Sequence, residues 1–169
     1  REWFIREELS RQAYFYRAST NKTARAAMQK KGIDMLIPED YMMLMDTTIS
    51  DEDIEVVWCC NNKGSMRRDV VVYSYPYTSQ EQFSNTAICS MRDEVLGRIV
   101  SAQVEGSRMG TEYKYFPPIS RQVQALQSDT IQNDTLPPPF YAIETRGLWK
   151  IIDGEAMGGP FVSLTRLDM

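Results

Sequence analysis

The chain has 169 residues, 43% of them apolar, with 19 basic and 23 acidic side chains for a net charge of −4. A chain of that size buries a core without metals or bridges. Its charge excludes the broad positive field that binding a phosphate backbone requires, so nucleic acid is not an expected partner. Histidine is absent, which removes the commonest general base and the commonest zinc ligand.

Residues 2 to 17 place Ile5, Leu9, Ala13 and Tyr16 on one face at helical spacing, which predicts a first helix. After "STN", the stretch "KTARAAMQKKG" resumes strong helix formers and ends on Lys30, Lys31 and Gly32, a basic last turn followed by a left-handed cap. Whether the two pieces form one helix is left open by the residues alone. "IDMLIPEDYMMLMD" alternates, meets Pro38 and continues apolar, predicting strand, bend and strand. "IEVVWCCN" and "DVVVYSYPY" are β-branched and aromatic, separated by a polar link containing Gly64, and predict a central antiparallel hairpin.

A helix is expected from an N-cap at Ser79, with Gln82 completing the cap and Phe83, Ala87, Ile88, Met91, Val95, Leu96 and Ile99 forming its apolar stripe. "TEYKYF" and "ISRQVQAL" read as half-buried strands in which Tyr113, Tyr115, Ile119 and Val123 alternate with polar residues. Residues 127 to 139 are polar, end in three prolines and predict an exposed loop. "FYAIETRGLWKIID" and "AMGGPFVSLTRL" predict a closing hairpin turned tightly at Asp153-Gly154. Within it, Gly147 marks a bulge or close approach, Gly158 and Gly159 a second, and Pro160 a sheet edge or bulge. The whole predicts one α+β domain over residues 1 to 169, an antiparallel sheet with helices packed on one face.

No catalytic, cofactor-binding or metal-ligating set emerges. Asp46, Asp51, Glu52, Asp53 and Glu55 offer oxygen ligands but lack the glycine and distal glutamate of a calcium loop, so a solvated turn is the favoured reading. Cys59, Cys60 and Cys89 form no CxxC, and adjacent strand positions point to opposite faces. Small buried thiols are favoured over a disulfide to Cys89 or a nucleophile without histidine. Ser107 and Ser163 lack a nucleophile elbow, and "VEGSRMG" and "GEAMGG" lack the phosphate-loop and dinucleotide patterns. Glu144 with Glu155 is the carboxylate pair that a hydrolase acting on envelope glycans would use. Arg146, Trp149, Met157 and Phe161, with Tyr141, would make a binding patch if they faced solvent, though core packing is the commoner fate of such residues.

"IDMLIPEDYMMLMD", "VVWCCNN", "VVVYSYPYT", "MRDEVLGRIV", "VEGSRMGTEYKYFPP", and above all "ETRGLWK" and "MGGPFVS", resemble a Bacteroidetes lipoprotein family that carries only the label domain of unknown function 4837. The resemblance runs through almost the whole chain. It implies an exported protein, longer than this chain at both ends, in the periplasm or at the outer membrane and held by a lipid anchor upstream of residue 1. It implies no activity; the residues, with no catalytic set among them, favour a non-enzymatic binding or structural role toward an envelope protein or glycan, without a cofactor. The implied address also makes hydroxyls in Asp-Thr-Thr and Asp-Thr-apolar triplets candidates for O-glycosylation, namely Thr47, Thr130 and Thr135.

Overall fold

The computed structural model describes residues 2–49, 53–64, 66–100, 104–125 and 140–167. The chain divides into two compact units, residues 1–76 and 77–169. The α+β class with antiparallel strands holds, and the strands are shared between two sheets.

The first unit opens with helices α1 (Glu2–Ala18) and α2 (Lys22–Lys30). They are two helices because Asn21 caps the second: its side-chain oxygen accepts the Ala24 N–H at 2.9 Å. Asn21 Nδ2 also donates to the Tyr41 carbonyl at 2.6 Å, tying the cap to the chain ahead of the first strand. Gly32 stands past the end of α2 at φ +76°, the left-handed conformation that its lack of Cβ permits. Three antiparallel strands follow in the order β1-β2-β3: β1 (Met42–Ile49), β2 (Ile54–Asn61) and β3 (Arg68–Ser74). Central β2 is buried on both faces, with Ile54, Val56, Val57, Cys59 and Cys60 all 2% exposed or less. Its Val57 and Cys59 meet Ala24, Ala27 and Met28 of α2, joined by Ile37.

Residues 33–37 do not form the expected strand. Their hydrogen bonds go to the ends of α2: Ile33 N donates to the Met28 carbonyl, and the Ile37 carbonyl accepts from Asn21 N and Thr20 Oγ1. Alternation there reflects one buried side, Ile37, rather than a ladder.

In the second unit the cap at Ser79 opens only a 3-10 turn, Gln80–Phe83, because Gln82 Oε1 turns back to accept the N–H groups of Thr78 and Ser79. A second cap, Ser84, then starts α3 (Asn85–Ile99), accepting the Ala87 N–H at 3.2 Å. The helix therefore begins six residues later than its first cap signal. Its stripe is buried at Ile88, Cys89, Val95, Leu96 and Ile99, and it packs along β4 (Arg108–Thr111).

"TEYKYF" is not a strand beyond Thr111. Glu112 Oε1 accepts the N–H groups of Lys114 and Tyr115, closing a turn, and Pro117-Pro118 supplies no donors for a ladder. Tyr113, Tyr115 and Ile119, expected half-buried, are 46%, 69% and 73% exposed. Three more strands complete the sheet: β5 (Ile119–Ala125), β6 (Phe140–Ile152) and β7 (Gly158–Thr165). The 13-residue β6 is the spine. It pairs β5 and β4 end to end along one side and β7 along the other. The closing hairpin is wider than a two-residue turn: Ile151 N donates to the Met157 carbonyl around residues 153–157, and Asp153, not Gly154, takes positive φ, at +56°. Residues 127–139, expected as an exposed loop, lie outside the described residues.

Candidate functional site: an open sheet face

β6 sets Ile143, Trp149 and Ile151 with Thr145 on one face and Glu144, Arg146 and Lys150 on the other, whereas β7 turns Ser163 and Thr165 toward the first face and leaves Val162 and Leu164 exposed on the second. On β6 the odd positions face α3, and Thr145 among them is fully buried. Its Oγ1 lies 2.7 Å from Ser120 Oγ, which donates to Asn85 Oδ1 at the start of α3. Asn85 Nδ2 in turn donates to the Pro118 carbonyl at 2.9 Å. This chain of hydrogen bonds satisfies hydroxyls that burial would otherwise penalise.

Further along the same face, Arg92 of α3 is only 5% exposed. Its guanidinium stands 4.0 Å over the Phe161 ring, and its Nη1 donates to Asp93 and to Thr111 Oγ1. Asp93 also accepts the Thr111 backbone N–H and hydroxyl, at 2.9 and 2.6 Å. Burial of this charge is thus compensated by a partner and a π face. Trp149 lies half-buried against Gly159, its cross-strand neighbour, where a Cβ would meet the indole Nε1 at 3.0 Å.

The even positions of β6 carry the opposite face. Two cross-strand rows define it: Ile119, Arg146 and Val162, then Arg121, Glu144 and Leu164. Ile119, Val162 and Leu164 are 73%, 60% and 64% exposed. At its centre Glu144 is held between two arginines. Arg121 Nε and Arg146 Nε both donate to its Oε1 at 2.8 Å, and Arg146 Nη2 reaches Oε2 at 3.3 Å. The Arg146 guanidinium first, and Arg121 with it, pushes the Glu144 carboxyl down to about 2. Along the same strand Lys150 pairs with Glu112 at 2.7 Å and lowers that carboxyl in turn.

The four residues expected to form one binding patch are separated by the strand pleat. Arg146 is on the open face; Trp149 and Phe161, on the α3 side, are half-buried; Met157, 56% exposed, sits in the hairpin connection. Successive strand positions diverge to opposite faces, so residues three apart such as 146 and 149 cannot share one. Ile119, Arg121, Val162 and Leu164 escape a reading of the sequence that assigns apolar residues to the core. Their signal is the register: each stands across from Arg146 or Glu144. Thr47 is exposed on β1, while Thr130 and Thr135 lie outside the described residues.

Cys59, Cys60 and Cys89 are buried free thiols, and burial pushes each of them up. Among the described residues no three His, Cys, Asp or Glu side chains are grouped to hold a metal ion, and no helix is long and apolar enough to cross a membrane.

A three-stranded sheet under a short helix, and a second sheet with one covered and one open face, define an α+β protein. The family model of the Domain of unknown function (DUF4837) matches residues 19–169. The chain belongs to that family. Searches of curated proteins and of solved structures give no match.

Proposed function

We propose that the chain is a non-enzymatic binding module of a Bacteroidetes envelope lipoprotein, and that the open face of β5, β6 and β7 is its contact surface. One observation carries this reading: the sheet turns Thr145 and Ser120 inward and exposes Ile119, Val162 and Leu164 around the arginine pair. Leaving such side chains in water forgoes about 1.5–3 kcal/mol each relative to burial, which a partner recovers. Arginine is enriched at protein interfaces, and the aliphatic side chains beside it supply apolar area for a partner to bury. Among the described residues these rows offer no flat π face for a sugar ring, so a partner protein is preferred to a glycan. O-glycosylation of Thr130, Thr135 and Thr47 belongs to the same reading, as does a lipid anchor upstream of residue 1.

The alternative, a carboxylate hydrolase using Glu144 with Glu155, gains no support from the geometry. A general acid needs a raised pKa, whereas the two arginines occupy both Glu144 oxygens and lower it. The test is site-directed photocrosslinking in native cells, with the crosslinker at Val162 or Leu164 and a control at exposed Met66 of the first unit. A discrete adduct from the β7 positions alone supports the reading. Equal labelling from all three positions, or turnover of peptidoglycan fragments that Glu144→Gln abolishes, overturns it. Intact mass and detergent partitioning of native protein check the sugars and the anchor.

A further inference from the structure

We infer that the partner at the open face is a second copy of this chain, joined to it edge to edge through β7. The inference rests on the reading of that face as a contact surface and names what meets it. Strand β7 pairs with β6 only, so its other edge is unpaired by any described strand. Such an edge is a template for an added strand, and natural sheets blunt it with charge, proline or a bulge. Alone among the described strands, β7 carries no charged side chain.

Register decides which backbone groups the edge offers. Ile151 N donates to the Met157 carbonyl, so the pairs that exchange hydrogen bonds with β6 continue through Trp149–Gly159, Gly147–Phe161 and Thr145–Ser163. Val162 and Leu164 fall between these pairs and direct their N–H and C=O groups away from β6. Pro160 falls there too: its donorless nitrogen lies on the outer edge, removes no bond to β6, and ends the pairing toward the hairpin. The segment left free to pair is short and centred on Ser163, with Val162 and Leu164 exposed on the open face at either side of it.

A two-fold axis through Ser163 satisfies this segment with its own copy. Two β7 strands then run antiparallel, and Val162 exchanges backbone hydrogen bonds with Leu164 of the second copy. Val162 and Leu164 of both copies form one aliphatic patch, because the rows Ile119, Arg146, Val162 and Arg121, Glu144, Leu164 both end at β7 and now run on across the axis. Ser163 adds an independent observation. Its Oγ is buried and has no hydrogen-bond partner among the described residues, a state that native structures rarely leave unexplained. On the axis the two Ser163 residues are a non-hydrogen-bonded pair with Cα atoms about 4.5 Å apart, and a χ1 rotation lets one hydroxyl donate to the other. An unrelated strand offers no such match by symmetry. The contact is narrower than a standard interface, so the dimer is weak and concentration-dependent.

The experiment is oxidative crosslinking of Ser163→Cys in the whole chain, read on a non-reducing gel, beside sedimentation velocity of the parent at rising concentration. The spacing on the axis lies within disulfide range. A covalent dimer is expected from Ser163→Cys, and none from the parent, whose thiols are buried, or from Met66→Cys, exposed in the first unit. Sedimentation of the parent should shift toward dimer as concentration rises. Leu164→Lys places a charge on an exposed position of the edge, and Val162→Pro removes an outward N–H without touching the bonds to β6; both should stay monomeric with the circular dichroism of the parent. A parent that is monomeric throughout, Ser163→Cys that crosslinks no better than Met66→Cys, or Leu164→Lys that still dimerises would each overturn the inference. In the photocrosslinking at Val162, an adduct of two copies supports it. An adduct with a different protein overturns the self-pairing while leaving the open face as a contact surface, and no adduct at all overturns both.

Discussion

Phe161 occupies the space that any side chain at Gly147 would need. The two residues are cross-strand partners, and a Cβ on Gly147 falls 2.8 Å from Cε1 and Cζ of the ring and 3.1 Å from Pro118 Cβ. The ring cannot simply swing away, because Arg92 stands on it. Strand glycines are usually improved by alanine, by about 0.5–1 kcal/mol. Overpacking costs about 1–3 kcal/mol, so the overlap wins. Gly147→Ala is expected to lower the urea midpoint, and Phe161→Leu in the same chain to restore part of the loss. A Gly147→Ala protein at least as stable as the parent would refute this close packing.

Glu144 makes the second unit sensitive to acid. Its carboxyl is depressed from an ordinary 4.5 to about 2, so its contribution is fully present above pH 4.5 and is lost as pH falls toward 2. Glu144→Gln is therefore expected to reduce stability at pH 7 and to flatten the fall below pH 4.5. Glu8, held at about 2 by Arg11 and then Gln12, leaves the variant some residual slope. Urea midpoints measured from pH 2 to 7 decide it, and parallel curves for parent and variant would show that the arginine pair contributes nothing. Since both arginines are more than half exposed, raised salt should shrink the difference.

Asn21 does two things at once, capping α2 and holding the Tyr41 carbonyl. Losing a cap costs about 1 kcal/mol, and leaving the carbonyl unpaired adds a comparable amount. Asn21→Ala is expected to cost about 2 kcal/mol, and Asn21→Ser, which keeps a cap but cannot reach Tyr41, about half of that. Equal losses in the two variants would place the whole effect in the cap.

The three thiols should be silent in the native protein. Burial both shields Cys59, Cys60 and Cys89 and raises their pKa, leaving little thiolate at pH 8. A colorimetric thiol titration is expected to give no rapid reaction when native and three equivalents in denaturant. Rapid native labelling of one cysteine would reveal an open route to it.

Much of this protein is local in origin, and local features are legible in a sequence. Gly32 past a basic helix end, the β-branched run of β2 and the long alternation of β6 each state their structure through their own residues. Membership of the family is likewise legible in the sequence, through the family model's match over residues 19–169. Tertiary structure decided what those residues are for. Residues 33–37 alternate like a strand, but the ends of α2 take their hydrogen bonds; Ser79 signals a helix, but the Gln82 side chain diverts it into a single turn. Above all, periodicity specifies that two faces differ without specifying which one α3 covers. Only the register of β5, β6 and β7, with the hydrogen bonds of Thr145, Ser120 and Asn85 on the α3 side, left Ile119, Val162 and Leu164 in water.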